Sequence, residues 1–395
     1  MDDFILPTSE ELALIEQYID ADVRDLALKL KELPFVRNDY VLQQIAGRQL
    51  IKTKVPSWAT VKGMIYPIHL SIEQSSSELT ARYKASLVGG EILADLTGGL
   101  GVDFAFMSQK FEFASYIEQK TELVAMARNN MQRLGLHNVK VSEGDAMLYL
   151  NAMTGKVSCI YVDPSRRSNG RRVIRLESCT PDISIMAPKM LQRADIVMIK
   201  LSPMLDISEA LTHLSNVETV HVVSVDNECK ELLFVLRAGA GSTEIVTVNL
   251  SVGATECFAF KPSEERNASC RYAYAPLKYL YEPNASIMKA GAFKCIASHY
   301  QLEKLHFNSH LYTSENLVAD FPGRRFEIVA WSGLATEELS TLLEGVRKAN
   351  IAVRNFPMRP TQLRDKLKLK DGGDDYLFAT TLIDGKKVVI RCRKA

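Results

Sequence analysis

Apolar residues recur at helical spacing through the opening of the chain. Leu12, Ile15, Ile19, Val23, Leu26 and Leu30 share one helical face. Thr8 or Ser9 can cap that helix, with Glu10 and Glu11 in its first turn. Pro34 ends the run, a second helical stretch covers 40–51, and Pro56 breaks it. Residues 1–74 are expected to form a helical cap packed on the next domain of the chain.

From about residue 90 the pattern alternates. Apolar strand-like runs at 91–96, 113–117, 139–141, 159–162 and 196–199 are separated by helical stretches such as 122–134. This rhythm predicts a parallel sheet covered on both faces. Two more strands, 219–225 and 232–237, are joined by Asp226-Asn227-Glu228, too short for a parallel crossover, so they are expected to be antiparallel. After Gly239-Ala240-Gly241-Ser242 come strands at 245–252 and 257–260, then a polar linker at 262–269. Residues 275–322 mix a helix near 286–297 with short strands. From Pro322-Gly323 the chain reads as strand 326–331, helix 336–349, an arginine-rich turn, helix 361–367 and a hairpin over 376–391. That is a small α+β module.

Composition narrows the class. The chain has 395 residues, 47% hydrophobic and 24% charged, which suits a globular protein of two or three domains. No apolar run approaches the roughly 18–20 residues of a membrane helix. The acidic opening MDDFILPTSEEL lacks the features of a secretory leader. The seven cysteines are widely spaced without a C-x-x-C, which predicts reduced thiols and a cytoplasmic location. His306 and His310 have no third ligand beside them, so no metal is expected.

The net charge of +1 is a cancellation. Residues 1–35 hold nine acids and three bases, while from Arg347 onward thirteen lysines and arginines face five acids, about +8. Basic residues there, including Arg354, Arg359, Arg364, Lys366 and Lys368, are interleaved with Phe356 and Tyr376. That mixture suits an RNA backbone plus base stacking.

The densest chemical signal is Asp95-Leu96-Thr97-Gly98-Gly99-Leu100-Gly101 at the end of the first strand. Glycines let φ turn positive and let a ligand approach the backbone, and the helix after them offers free N–H groups. The nicotinamide fingerprint G-x-G-x-x-G fails, because Phe104 stands at the third glycine position. Asp95-x-Thr97-x-Gly99-x-Gly101 instead resembles motif I of class I S-adenosylmethionine-dependent methyltransferases, with Thr97 where a glycine is usual. Glu118 ends the second strand and Asp145 follows the third, where that family places its ribose and adenine contacts. The resemblance covers roughly 75–240.

That resemblance implies an α/β fold: the seven-stranded Rossmann-like sheet of class I methyltransferases, with an N-terminal helical cap and C-terminal α+β modules. It implies S-adenosylmethionine as cofactor, held at Asp95, Thr97, Gly98, Gly99, Gly101, Glu118 and Asp145. The segment before motif I often folds over the cofactor in this family, which would bring Gln74, Ser77, Thr80 and Lys84 to its carboxylate. The residues alone equally make a surface helix, for which Ser75–Ser77 are good caps.

After the fourth strand, Asp163-Pro164-Ser165-Arg166 resembles motif IV of amino-methylating members, (D/N)-P-P-(Y/F). An exocyclic amine is a poor nucleophile because its lone pair is delocalised. A carboxylate and a carbonyl accepting its N–H bonds turn that pair toward the methyl, which makes Asp163 and Pro164 the candidate catalytic residues. Ser165 and Arg166 depart from the pattern, which leaves the target atom open. Arg166, Arg167, Arg171, Arg172 and Arg175 crowd this loop and suit phosphates. Lys200 ends the fifth strand at the same edge, either lining the acceptor pocket or merely closing a loop.

The tail resembles the THUMP-like domain of a bacterial methyltransferase group, and the segment before it the ferredoxin-like module of the same group. The expected organisation is a cap (1–74), a methyltransferase domain (75–262), a ferredoxin-like module (275–322) and a basic THUMP-like domain (323–395). The leading expectation is methylation of a nucleobase nitrogen in structured RNA, tRNA or rRNA, with no membrane and no metal involved. Methylation of a protein or small molecule, and RNA binding without catalysis, stay open at this point.

Overall fold

The computed structural model describes residues 7–30, 37–67, 69–166 and 176–395. They fall into two units: 1–220 with 231–242, and 221–230 with 243–395.

The first unit opens with α1 (Ser9–Gln17), α2 (Val23–Leu30), α3 (Asn38–Lys54), α4 (Pro56–Ala59), α5 (His69–Gln74) and α6 (Glu78–Leu87). The expected single run over 12–30 is two helices. The Asp22 carboxylate accepts the N–H groups of Arg24 and Asp25 at 2.8 and 3.2 Å, which starts α2 afresh. Thr8 caps α1 in a reciprocal box with Glu11.

The alternating segment yields β1 (Gly90–Asp95), α7 (Val102–Ser108), β2 (Phe111–Glu118), α8 (Thr121–Arg133), β3 (Val139–Glu143), α9 (Ala146–Ala152) and β4 (Val157–Val162). A two-residue ribbon comes next, β5 (Ser165–Arg166) with β6 (Cys179–Thr180). Then come α10 (Ile183–Arg193), β7 (Ala194–Leu201), α11 (Ile207–His213), β8 (Val217–Val225) and β9 (Glu228–Leu236). The strand order is β3-β2-β1-β4-β7-β9-β8. β1 to β4 and β7 run parallel, and β9 pairs antiparallel with β7. The order reverses at β1, with β2 on one side and β4 on the other. Open α/β sheets bind ligands at the strand C-termini beside such a switch. Leu93, Phe104, Ala114, Tyr116, Cys159, Tyr161 and Met198 are buried in the core around it.

The second unit holds β10 (Glu244–Ser251), β11 (Ala254–Phe260), α12 (Pro262–Asn267), β12 (Arg271–Tyr272), β13 (Tyr279–Pro283), α13 (Ala285–Ala290) and α14 (Phe293–His299). It continues with β14 (Glu303–Lys304), β15 (Tyr312–Ser314), β16 (Gly323–Ser332), α15 (Thr336–Leu342), β17 (Asn350–Arg354), α16 (Pro360–Leu367), β18 (Tyr376–Thr381) and β19 (Lys387–Lys394). β10 stands next to β8, whose residues from His221 onward belong to this unit, and pairs antiparallel with β11. The other strands form a sheet of order β12-β14-β15-β13-β16-β19-β18-β17. It buries Leu280, Phe326 and Phe378 in one apolar cluster and Leu363, Leu377 and Val389 in another.

Three expectations change here. The polar stretch 262–269 contains α12 rather than a linker. Pro262 sits where a helix needs no N–H, and the Glu264 carboxylate accepts the Lys261 N–H at 2.8 Å. The helix expected over 286–297 is divided by Gly291, whose φ of +77° ends α13. The arginine-rich turn contains β17, whose register with β18 is parallel from Asn350↔Tyr376 to Arg354↔Thr380.

Candidate active site

The loop from β1 to α7 is packed tightly behind and open in front. A Cβ on Gly98 would lie 2.1 Å from the Tyr116 ring, and one on Gly101 2.6 Å from Met131. A Cβ on Gly99 would meet only Thr97 O, at 3.7 Å. Gly99 and Gly101 have φ of +57° and +80°, which glycine adopts without strain. The Tyr116 hydroxyl donates to Gly99 O at 2.6 Å and fixes the tip. These residues fit a backbone cradle for a ligand.

The strand-end acids surround that cradle. Asp95 is buried, and its Oδ1 accepts the Thr97 N–H at 2.9 Å. Burial pushes its carboxyl well above the usual range, and the charges of Asp103, Asp163 and Glu118 push the same way. Glu118 accepts the Gly99 N–H at 3.0 Å with one oxygen and the Lys120 N–H at 2.9 Å with the other. Asp145 caps α9 through the N–H groups of Met147 and Leu148, and its second oxygen accepts from Gln119 at 2.6 Å. Each oxygen of Glu118 and Asp145 has two lone pairs, so acceptor capacity remains beyond these bonds.

Asp163 joins the loop directly. Its N–H donates to Thr97 Oγ1 at 2.6 Å, so the threonine that replaces a motif glycine bridges the ends of β1 and β4. Pro164 behind it is buried. The Asp163 side chain is 38% exposed, and its Oδ2 lies 2.6 Å from Lys200 Nζ. Burial alone would lower the Lys200 ammonium. The carboxylates of Asp163, Asp103 and Glu231 outweigh it and hold the group well above its ordinary value.

Lys84 is not brought to the cradle. Its Nζ is fully buried between Glu231 at 2.5 Å, Asp103 at 3.2 Å and the Ser76 hydroxyl at 3.2 Å. The ammonium donates to Glu231 and Ser76, and it meets Asp103 as an ion pair. Asp103 Oδ2 also accepts from Ser76 at 2.7 Å and from the Tyr161 hydroxyl at 2.8 Å. Burial would raise the Asp103 carboxyl, but Lys84 and Lys200, with these hydrogen bonds, hold it below the usual range. Gln74 ends α5 exposed, Ser77 caps α6, and the buried Thr80 donates to Ser77 O at 3.1 Å.

Sequence reasoning missed this network of Ser76, Lys84, Asp103, Tyr161 and Glu231. A signal was present: Lys84 sits on the apolar face of α6 with Ala81 and Ala85, and Glu231 opens the apolar run Leu232–Leu236. Arg167, Arg171, Arg172 and Arg175 lie outside the described residues, and Arg166 is placed only by its backbone in β5.

In the second unit Arg359, Lys366 and Lys368 are exposed around α16. Arg364 pairs with Asp371, and Arg354 pairs with Glu282 at 2.5 Å.

Comparison with known proteins settles the class. A family profile described as a ferredoxin-like domain matches residues 279–322, and one described as THUMP domain-like matches 323–394. A protein of Porphyromonas gingivalis W83, solved as a candidate methyltransferase, is 36% identical. That match covers 99% of this chain and all of the other, with a TM-score of 0.90. An uncharacterised S-adenosylmethionine-dependent methyltransferase of Mycobacterium tuberculosis, known from two strains, is 22% identical over 302 residues. That is 76% of this chain and 80% of the relative. The chain belongs to the S-adenosylmethionine-dependent methyltransferases that carry a ferredoxin-like and a THUMP-like domain after the class I fold.

Proposed function

We propose that this enzyme methylates a nucleobase nitrogen of structured RNA, tRNA or rRNA, with Asp163 orienting the acceptor. The observation that carries this reading is the position of Asp163. Its backbone is tied to the glycine loop by Thr97, and its half-exposed carboxylate is fixed by Lys200.

S-adenosylmethionine, when bound, supplies an electrophilic methyl group on a sulfonium. Gly98, Gly99 and Gly101 offer it a backbone surface free of side chains. Glu118 and Asp145 offer oxygen acceptors to ribose hydroxyls and to an adenine amine. Gln74, Ser77 and Thr80, on the segment before the loop, stand as candidates for its polar end. Asp163 Oδ1, the oxygen not paired with Lys200, accepts an N–H of the target nitrogen and turns its lone pair outward. The Asp163 carbonyl, held by the adjoining Pro164, offers a second acceptor. Transfer needs positioning more than a strong base, and a carboxylate paired with lysine is a positioned acceptor rather than a strong base.

The RNA part is supported by the THUMP-like match over 323–394 and by the exposed Arg359, Lys366 and Lys368. The arginines at 166–175, which follow Asp163 in the sequence, add phosphate-binding residue types. The experiment is transfer of labelled methyl from S-adenosylmethionine into total RNA of cells lacking the protein, followed by nucleoside mapping. Incorporation at one base nitrogen is the expected result. Label in protein or in small molecules, with none in RNA, would sink the reading.

A further inference from the structure

Glu282 on β13 lies outside the methyl-transfer machinery, yet it gathers two arginines of the second unit. It is buried and faces Arg324 of β16 in register. Arg324 Nε donates to Glu282 Oε2 at 2.7 Å, and its Nη2 bonds the same oxygen. Arg354, ending β17, places Nη2 2.5 Å from Glu282 Oε1. One carboxylate therefore holds two guanidiniums and leaves one positive charge unanswered within the trio. One arginine would suffice to neutralise the acid, so burial of Glu282 does not account for the second.

Both guanidiniums reach solvent, with side chains 42% and 39% exposed. Arg324 is steadied over the Phe326 and Phe378 rings at 5.7 and 5.8 Å, and Arg354 Nη1 donates to Val353 O at 2.8 Å. Each guanidinium has five N–H donors in a planar fork, so each keeps donors beyond those used here.

An aromatic face adjoins Arg354. The next residue, Asn355, has φ of +52°, and its Nδ2 lies 3.0 Å from His306 Nδ1. That nitrogen also accepts the Asn308 N–H at 3.0 Å, so the neutral ring carries its proton on Nε2. The His306 ring lies 3.9 Å from that of Phe307, which is 54% exposed. Phe307 is thus linked to Arg354 through Asn355 and His306, and core packing does not explain this large ring left in water.

We propose that Arg324, Arg354 and Phe307 form a nucleotide subsite for single-stranded RNA. The two guanidiniums clamp a phosphate, and Phe307 supplies the face on which the adjoining base stacks. Phosphate complements a bidentate arginine pair, and only an unpaired strand presents a free base face to an aromatic ring. This rests on the RNA reading above.

Fluorescence anisotropy with the full-length protein tests it, using a labelled mixed-sequence RNA of about 12 nucleotides, single-stranded or annealed to its complement. Phe307→Ala removes an exposed ring and leaves the Glu282 trio intact. It is expected to weaken single-strand binding about 5- to 100-fold and to leave duplex binding unchanged. Arg354→Ala is expected to weaken binding and to reduce the log–log salt slope by about 0.7. Thermal melts of both variants check that the fold persists. Wild-type protein that binds the strand, with both variants binding equally well, overturns the subsite and leaves the RNA reading standing. Wild-type protein that binds folded tRNA or rRNA but not the single strand overturns the subsite alone, and wild-type protein that binds none of these RNAs overturns the RNA reading itself and the subsite with it.

Discussion

The strand ends of the first unit and the basic module of the second both gather charge, in opposite ways. At the strand ends most of the charges are buried and each cation meets specific acids: Lys84 meets Asp103 and Glu231, and Lys200 meets the half-exposed Asp163. In the module most cations face solvent, and pairs such as Arg364 with Asp371 lie near the surface. Burial makes the first set intolerant, because removing one member strands its partner without water or counter-charge. Exposure makes the second set forgiving, because screened attractions are small and nearly additive. The first arrangement fixes atoms in place. The second supplies attraction to a large polyanion.

The hardest break of that comparison is at the cradle. Gly98→Ala drives a Cβ to 2.1 Å from Tyr116, and Gly99→Val forces a branched residue into φ of +57°. Both are expected to abolish binding of S-adenosylhomocysteine in calorimetry. Unchanged titrations in both would remove the loop from the cofactor site. Next in size is Lys84→Met, which leaves Asp103 and Glu231 without their shared cation. A loss of about 3–5 kcal/mol in urea unfolding is expected. Adding Glu231→Gln should recover part of it, and no recovery would deny the coupling.

Lys200→Met separates positioning from binding. Methyl incorporation into RNA should fall on the order of 100-fold, while S-adenosylhomocysteine affinity moves by no more than about 3-fold. Equal loss of both would make Lys200 a structural member of the cofactor site. A smaller effect belongs to Asp95. Its native carboxyl titrates above the unfolded value near 3.9. Its contribution to stability is therefore complete below about pH 4 and is lost as pH rises through the native value. Asp95→Asn should flatten that loss, so the variant's thermal midpoint falls less than wild type's between acid and neutral pH. Parallel curves would refute the raised carboxyl. The smallest effects are in the basic module. Arg359→Ala, Lys366→Ala and Lys368→Ala should each weaken RNA binding a few-fold and lower the salt slope by about 1, additively. A single variant that abolished binding would mean the module resembles the strand ends after all.

Much of the first unit was legible in the chain. Short continuous apolar runs locate β1, β2, β4 and β7, and the short link after Val225 leaves no room for a parallel crossover between β8 and β9. Asp95, Thr97, Gly99 and Gly101 are contiguous, so their spacing survives without knowledge of the fold. Local capping defeated the reading elsewhere. Asp22 restarts a helix that periodicity alone would continue, Glu264 folds a polar stretch that resembles a linker, and Gly291 cuts a helix in two. β17 was hidden because its half-exposed, arginine-ended sequence reads as a turn until β18 lies beside it.

The sequence by itself determined the class I sheet, the glycine loop, the acid ending β2, the Asp163-Pro164 turn and the uneven charge of the two chain ends. Each is a local pattern, or a constraint on the length of a connection. Only the tertiary structure decided which charges meet. Lys84 and Glu231 are 147 residues apart, Lys200 and Asp163 37, and Arg324 and Glu282 42. No spacing rule joins such pairs, because their contact depends on strand order and on which face each side chain takes. Tertiary structure likewise buried Lys84, a candidate cofactor ligand, among Asp103 and Glu231, and gave Lys200, read as lining the acceptor pocket or closing a loop, Asp163 as its partner. Once water is excluded, a charge must be answered by whatever countercharge the fold brings within hydrogen-bond reach.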